Sequence, residues 1–339
     1  MPVGRERESV RMKIAIIGDG GWGTANARLL AGYGHDVTVW GRSADHVAEI
    51  VRTRRNDLYL PGVELPASIR WTPDRAAVVA GADIVVLAAP SRHFASVCEA
   101  FAGLIPSATP VVSLTKGLCE KTHARMSELA KRILGTPRVV ALSGPTHAEE
   151  VARGLPTTIV AAADDEEDAK FIQRIWNGPA FRVYTSDDLL GVEIGGAVKN
   201  VIAIAVGCSD GLGFGDNTRA ALITRGLAEV TRFVCAAGGQ PQTASGLSGV
   251  GDLIVTCTSR HSRNHQVGER LGRGERIDDI LASMHMVAEG VWNAHVIHAR
   301  AVELGVEMPI AETVYRVCHE GLPVADAIAA LMNRGLKSE

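Results

Sequence analysis

Short apolar runs separated by stretches of mixed character mark the first two-thirds of the chain. Lys13-Ile14-Ala15-Ile16-Ile17 stops at glycine, the spacing that follows predicts a helix from about Gly23 to Tyr33, and Val37-Thr38-Val39-Trp40 comes next. Further runs are Ile84-Val85-Val86-Leu87, Val111-Val112-Ser113-Leu114 and Val139-Val140-Ala141-Leu142. Segments that are β-branched and apolar on both faces suit a parallel sheet covered by helices. Three of them run out into Ala89-Pro90-Ser91, Thr115-Lys116-Gly117 and Ser143-Gly144-Pro145. The carboxyl ends of strands are where an open α/β sheet binds ligands.

Past about Gly191 the texture changes. Ile194, Val198, Val201, Ile202 and Ala205 recur at steps of three and four, as one buried helix face requires. Similar stretches lie near 218–237, 289–304 and 310–319. The expected architecture is α/β: an N-terminal Rossmann-type dinucleotide-binding domain over 12–190, then an all-helical substrate domain over 191–339. Residues 1–11, charged and without an apolar segment, read as a flexible tail and not as a signal peptide. The acidic run from Asp164 to Asp168 reads as the solvated start of a helix.

Composition narrows the class. A formal net charge of −3 over 339 residues provides no global field for nucleic acid or an anionic membrane, so any anion must be bound locally. The 35 basic residues are mostly arginine, which singles out the few lysines, and Lys116 and Lys199 both sit inside motifs. The six cysteines are scattered, with no CxxC pair and no zinc-like spacing to histidine; they read as reduced, mostly buried thiols, and no metal is expected. No uninterrupted apolar run approaches the roughly 20 residues that cross a bilayer. A cytoplasmic protein without stable membrane insertion is expected.

The turn Gly18-Asp19-Gly20-Gly21-Trp22-Gly23 lies between a strand and a helix, with a second strand beyond, which is the setting a dinucleotide-binding turn requires. Its glycines permit a tight turn, close approach to a pyrophosphate and packing of helix on strand, while the helix N-terminus offers free N–H groups to the phosphates. At the end of the second strand an acid favours NAD and an arginine accommodates the 2′-phosphate of NADP. Here the residues are Trp40-Gly41-Arg42-Ser43, and Asp36 precedes the strand, so Arg42 favours NADP(H) over NAD(H).

Gly195-Gly196-Ala197-Val198-Lys199-Asn200 falls within a helical pattern. Two glycines inside a helix cost roughly 1 kcal/mol each relative to alanine. Placed four and three residues before Lys199, they would leave a groove on its face. Tight helix packing beside a snorkelling lysine is the alternative. A lysine whose pKa is lowered by burial and neighbouring cations can exchange a proton with a secondary alcohol or ketone. Asp252, in Gly249-Val250-Gly251-Asp252, is the candidate to position it, unless it serves only as a helix cap. Thr256-Cys257-Thr258-Ser259-Arg260-His261-Ser262-Arg263-Asn264 combines hydroxyls, arginine and an amide ahead of a helical stretch, a composition that suits an anion, though also a plain polar loop. His261 and His265 have no acidic or cysteine partner nearby to make a metal site. Ser143 and His147 lack a nucleophile-elbow pattern, which argues against hydrolysis.

Taken together these segments resemble the bacterial NAD(P)-dependent glycerol-3-phosphate dehydrogenase family, from Met12 to about Met332. The most specific pieces are Ser113-Leu114-Thr115-Lys116-Gly117, Leu142-Ser143-Gly144-Pro145-Thr146-His147-Ala148 and Gly195 to Asn200, followed by Gly215 to Leu222, Gly249 to Asp252, Ser262-Arg263-Asn264 and Val287-Ala288-Glu289-Gly290. The resemblance implies that Lys199 is the general acid/base and that Lys116 contacts cofactor and substrate. It implies that Gly144, Thr146, Asp252, Ser262, Arg263 and Asn264 bind substrate, with Asn200 an additional ligand. On the cofactor side it implies the glycine turn with Trp22, together with Ala148, Arg263, Val287 and Glu289. The implied reaction is hydride transfer between the nicotinamide and C2 of dihydroxyacetone phosphate, giving sn-glycerol 3-phosphate for phospholipid synthesis in a homodimeric enzyme.

Two positions depart from the family pattern. Gly21 replaces a serine, which keeps a backbone N–H but loses a hydroxyl, and Asn26 replaces an aliphatic residue for a reason the sequence does not disclose. A β-hydroxyacid dehydrogenase is the competing enzyme reading, against which the cluster at Ser262 to Asn264 argues. A cofactor-sensing protein without turnover is the non-enzymatic one, against which the joint presence of Lys199 and Asp252 argues.

Overall fold

The computed structural model describes residues 11–284 and 287–335, so the expected tail lies outside them except for Arg11. The chain opens as β1 (Lys13–Ile17), α1 (Gly21–Gly32), β2 (Asp36–Trp40) and α2 (Ala44–Thr53). A small hairpin of β3 (Arg55–Asn56) and β4 (Leu60–Glu64) precedes β5 (Arg70–Thr72), α3 (Arg75–Val79), β6 (Ile84–Leu87) and α4 (Ser91–Phe101). Then come β7 (Val111–Ser113), α5 (Met126–Leu134), β8 (Val139–Ser143), α6 (Ala148–Ala152), β9 (Thr157–Ala162), α7 (Glu166–Trp176) and β10 (Phe181–Ser186).

Eight strands form one sheet in the order β10-β9-β8-β7-β6-β1-β2-β5. Its central strands are buried on both faces: Ala15, Ile16 and Ile17 of β1 and Ile84, Val86 and Leu87 of β6 have no accessible surface. This is the uniformly apolar strand that helix-covered parallel sheets demand. The neighbouring pairs are parallel except β8 with β9, which run antiparallel. After β8 the chain stays at the carboxyl end of the sheet, packs α6 against α1, and re-enters from that same end. The reversal places Ala148, at the start of α6, beside the glycine turn, and Ser143 against α8. The acidic run corrects one expectation. Asp165 caps α7, but Asp168 is buried and receives Arg138 Nη2 at 2.6 Å, so that carboxylate is not solvated.

Past β10 the described chain is helical: α8 (Leu189–Gly211), α9 (Asp216–Ala236), α10 (Pro241–Ala244), a π-turn over Leu247–Gly251, α11 (Asp252–Thr258) and α12 (Arg263–Gly272). α13 (Ile277–Ala282), α14 (Glu289–Leu304), α15 (Pro309–His319) and α16 (Val324–Met332) complete it. α8 is the hub. By length and composition alone it is apolar enough to cross a membrane, although Glu193 and Lys199 interrupt the run, and 89% of its apolar window is buried within the protein. Its tightest partner is α12. A Cβ on Gly207 would fall 2.1 Å from the His265 carbonyl oxygen, and one on Gly268 2.1 Å from that of Ile204. The two backbones therefore touch, which holds the start of α12 against the Lys199–Asn200 turn of α8.

Asn26 now has a role. Completely buried in α1, it donates through Nδ2 to the Trp22 carbonyl at 2.8 Å and accepts the indole N–H of buried Trp176 at 3.0 Å. An aliphatic residue here would leave that N–H unsatisfied. Asn26→Leu is expected to lower stability by about 1–3 kcal/mol in urea unfolding, and adding Trp176→Phe should recover part of the loss. Equal stability of wild type and the single variant would refute this account.

Candidate active site

The glycine turn is built for close approach. The Gly18 N–H bonds the Trp40 carbonyl at 3.0 Å, tying the turn to the end of β2. Gly18 has φ +124°, and a Cβ on it would lie 2.7 Å from the Ala88 oxygen; one on Gly23 would lie 2.1 Å from the Gly18 oxygen. α1 starts at Gly21, slightly earlier than predicted, and Gly20 at its N-cap provides no side-chain bond. Nothing lies within 4 Å of where a Gly20 Cβ would stand. The first-turn N–H groups thus face an open cradle, which fits the pyrophosphate of a dinucleotide. Trp22 Nε1 is a buried polar atom without a hydrogen-bond partner among the described residues. At Gly21 a Cβ would sit 2.6 Å from the Tyr59 oxygen, so serine at this position would require the β3–β4 hairpin to move. The same point is 3.8 Å from Ala148 Cβ, which places Ala148 beside the turn.

The two lysines singled out in the sequence meet on one carboxylate. Lys199 Nζ donates to Asp252 Oδ1 at 2.6 Å and Thr256 Oγ1 at 2.7 Å. Lys116 Nζ donates to Asp252 Oδ2 at 2.6 Å and to the Gly144 carbonyl at 2.8 Å. Burial lowers the Lys199 ammonium to about 8, with the Lys116 charge adding to the shift and Asp252 opposing it. Burial would raise the Asp252 carboxyl, but the two ammonium groups overcome that and hold it below the ordinary carboxylate range. Asp252 opens α11, as a capping reading allows, yet its oxygens are spent on the lysines.

The glycines before Lys199 do not leave the open groove expected of them. A Gly195 Cβ would stand 3.2 Å from the Ser248 carbonyl oxygen of the π-turn, and one on Gly196 would stand 2.8 Å from Ser143 Oγ. They serve instead to bring α8 against the strand end and the π-turn that carry the rest of the cluster. Ser143 Oγ and His147 Nε2 are buried and without a hydrogen-bond partner among the described residues. Burial lowers the pKa of the His147 imidazole, with the Lys199 and Lys116 charges adding to the shift. Gly144, with φ +153°, lies 3.1 Å in Cβ terms from the Ile159 Cα, and Thr146 donates to its carbonyl at 3.0 Å.

The proposed anion segment divides in two. Thr256 and Thr258 belong to α11, their hydroxyls donating to Asp252 and Ile254 carbonyls, so Thr256 is a lysine ligand and not part of an anion loop. Ser262 caps α12 by accepting the His265 N–H, and Asn264 spans Asn200 Oδ1 at 2.8 Å and the Gly290 N–H at 2.9 Å. Arg263 donates to the Val287 carbonyl at 2.8 Å, and His261 lies against His147 with ring centroids 5.9 Å apart. Glu289 accepts the Ser91 N–H at 3.0 Å and its hydroxyl at shorter range, joining the first residue of α14 to the first residue of α4. Arg42 is exposed, its charge acting on Asp19 and His93. Asp36, at the far end of β2, pairs with Arg70.

Three residues of this cluster were not singled out from sequence: His147 as a neighbour of the lysines, Ser91 as the Glu289 partner, and Thr256 as a lysine ligand. Thr256 had a legible signal, since it follows Asp252 by four residues on one helix face. Among the described residues no group of three or more His, Cys, Asp or Glu is placed to hold a metal ion. Cys98, Cys208, Cys257 and Cys318 are free and buried, Cys119 is half-buried and Cys235 exposed.

A Rossmann sheet with an open glycine cradle, joined to a helical domain whose buried Lys199 and Asp252 meet Lys116 from the sheet domain, defines an oxidoreductase of the two-domain, dinucleotide-binding class. The comparisons narrow the class. The model of the NAD-dependent glycerol-3-phosphate dehydrogenase N-terminus matches residues 13–169, and that of the C-terminus of the same family matches residues 188–329. The chain belongs to the NAD-dependent glycerol-3-phosphate dehydrogenase family. A glycerol-3-phosphate dehydrogenase of the NAD(P)+ type from Moorella thermoacetica is 48% identical over 325 residues, covering 96% of this chain and 97% of its own. One from Geobacillus kaustophilus is 49% identical over 329 residues, covering 96% of each. The crystal structure of glycerol-3-phosphate dehydrogenase from Coxiella burnetii superposes with a TM-score of 0.92 at 39% identity, over 96% of this chain and 99% of that one.

Proposed function

We propose that this protein catalyses the reversible reduction of dihydroxyacetone phosphate to sn-glycerol 3-phosphate, with NADPH or NADH as reductant and Lys199 as general acid/base. The nicotinamide, when bound, supplies the hydride at C2. The carrying observation is Lys199, whose Nζ gives two of its three protons to Asp252 and Thr256. The third remains for the C2 oxygen. With its pKa lowered to about 8, the amine can release that proton during reduction and take it back during oxidation near neutral pH. Asp252 orients Lys199 and Lys116 together, and the Lys116 ammonium, held also by the Gly144 carbonyl, polarises the substrate from the other side.

The remaining assignments rest on placement around this centre and on the family resemblance. Gly144, Thr146, Asn200, Ser262, Arg263 and Asn264 surround the substrate with Lys116, Lys199 and Asp252. The Asn264 and Asn200 amides bond each other and so shape the α12 N-terminus, the Ser262 hydroxyl accepts the His265 N–H and keeps its own proton to donate, and Arg263 supplies the charge for the phosphate. Gly18, Gly20, Gly21, Trp22, Gly23, Lys116, Ala148, Arg263, Val287 and Glu289 hold the dinucleotide, with Arg42 at its adenosine end. Residues 12–190 form the cofactor domain and 191–339 the substrate domain. The same resemblance makes the protein a cytoplasmic homodimer, with no membrane insertion, that supplies phospholipid synthesis.

The reading is tested by following NADPH oxidation on addition of dihydroxyacetone phosphate, then repeating with NADH. Turnover with either supports the activity, and failure with both removes it. Arg42 predicts the higher kcat/KM with NADPH; a strong NADH preference would overturn that part alone.

A further inference from the structure

The end of β2 carries Gly41 and Arg42, so no acid from that strand reaches the adenosine ribose. An acid arrives there by another route. Asp19 projects from the glycine turn, whose Gly18 N–H is bonded to the Trp40 carbonyl, and its carboxylate lies across Gly41. A Cβ on Gly41 would stand 2.5 Å from Asp19 Oδ2 and 3.0 Å from its Cγ, so glycine at 41 makes room for this carboxylate. His46 closes the other side. Its Nε2 stands 3.9 Å from Asp19 Oδ2, too far for a direct hydrogen bond, and is buried without a hydrogen-bond partner among the described residues. A hydroxyl at an ordinary hydrogen-bond distance of about 2.8 Å from both atoms would complete a triangle, donating to the carboxylate and accepting from the imidazole N–H. One of the two vicinal hydroxyls of an adenosine ribose has this chemistry.

We propose that Asp19, with His46, binds the adenosine ribose hydroxyls of the dinucleotide and opposes Arg42 in setting the choice between NAD(H) and NADP(H). The inference rests on the glycine turn holding the cofactor, as in the function proposed above. A 2′-phosphate placed at this point would meet the Asp19 carboxylate, whereas Arg42 would attract it; a free 2′-hydroxyl loses nothing to Asp19 and gains a bond. Asp19 therefore raises the affinity for NAD(H) and lowers that for NADP(H), narrowing the preference that Arg42 alone would give. The specificity of a site for one of two ligands is often set by such a repulsive element.

Calorimetric titration of the protein with NADH and with NADPH, without substrate, reads this directly. In Asp19→Asn, which keeps the shape over Gly41, NADH binding should weaken and NADPH binding tighten, moving the ratio of the two dissociation constants by about tenfold. Asp19→Ala should move it the same way, and Arg42→Ala the opposite way. A ratio within twofold of wild type in both Asp19 variants, with NADH still bound, would overturn the inference and leave the dehydrogenase reading intact. Failure of the wild-type protein to bind either dinucleotide would refute both.

Discussion

Exchanging Lys199 for methionine is expected to lower kcat for dihydroxyacetone phosphate reduction by on the order of 10³-fold, the scale of a lost general acid. Methionine suits the site because it fills the volume of the lysine stem without placing a new charge beside Asp252. Asp252 keeps Lys116 as a partner, so no carboxylate is left unpaired in the core. The fold should therefore survive, and thermal unfolding should show a transition close to that of wild type. NADPH affinity should also change little, because the glycine cradle is untouched. A well-folded variant that retained more than a tenth of wild-type turnover would remove Lys199 from the proton transfer and would require a different donor, with Lys116, on the same carboxylate, the candidate.

The second large effect is expected at Asp252. Its carboxylate is almost completely buried and joins both ammonium groups, each at 2.6 Å. Asp252→Ala leaves two cations facing each other in a low-dielectric site, and removing one partner of a buried ion pair typically costs about 3–5 kcal/mol. Asp252→Asn keeps the shape and one acceptor, so it separates stability from chemistry. For that variant the expected result is a loss of kcat/KM on the order of 10²-fold, accompanied by a fall in the Lys199 pKa below its already lowered value. The sign follows from the removal of the group that favours the ammonium form. The reduction rate should then begin to decline at a lower pH than in wild type. An unchanged pH profile in a folded Asp252→Asn protein would show that the carboxylate does not act on the lysine.

Much of this was legible in the chain because the signals were local. Strand runs ending at Gly18, Ala89, Thr115 and Ser143 announced a Rossmann sheet, and the spacing around Lys199 announced the hub helix. The pairing of Lys199 with Asp252 could be suggested from residue chemistry. What the sequence hid was long-range. β9 and β10 went unread, and the antiparallel entry of β9 depends on where α6 packs, which no run of residues encodes. The Gly195–Gly196 pair suits either a ligand groove or tight packing as far as the sequence goes; the Ser248 backbone and Ser143 fill the space, which only the packed chain shows. The reason for Asn26 lies with Trp176, far along the chain, whose indole N–H it accepts. Asp19 sat unnoticed inside the glycine motif because its significance lies in the absence of a side chain at Gly41. Asp168 shows the same limit in charge patterning, where one acid of an exposed run turns inward to meet Arg138.

The central claim is that a buried lysine of lowered pKa hands the proton to the C2 oxygen. The most direct measurement is kcat/KM for dihydroxyacetone phosphate reduction from neutral pH upward at saturating NADPH. The account predicts a plateau that breaks near pH 8, where Lys199 loses its proton, with a decline above it; the oxidation of glycerol 3-phosphate should rise through the same region. A reduction profile that stays level until the pH approaches the ordinary lysine pKa of roughly 10.4 would contradict it.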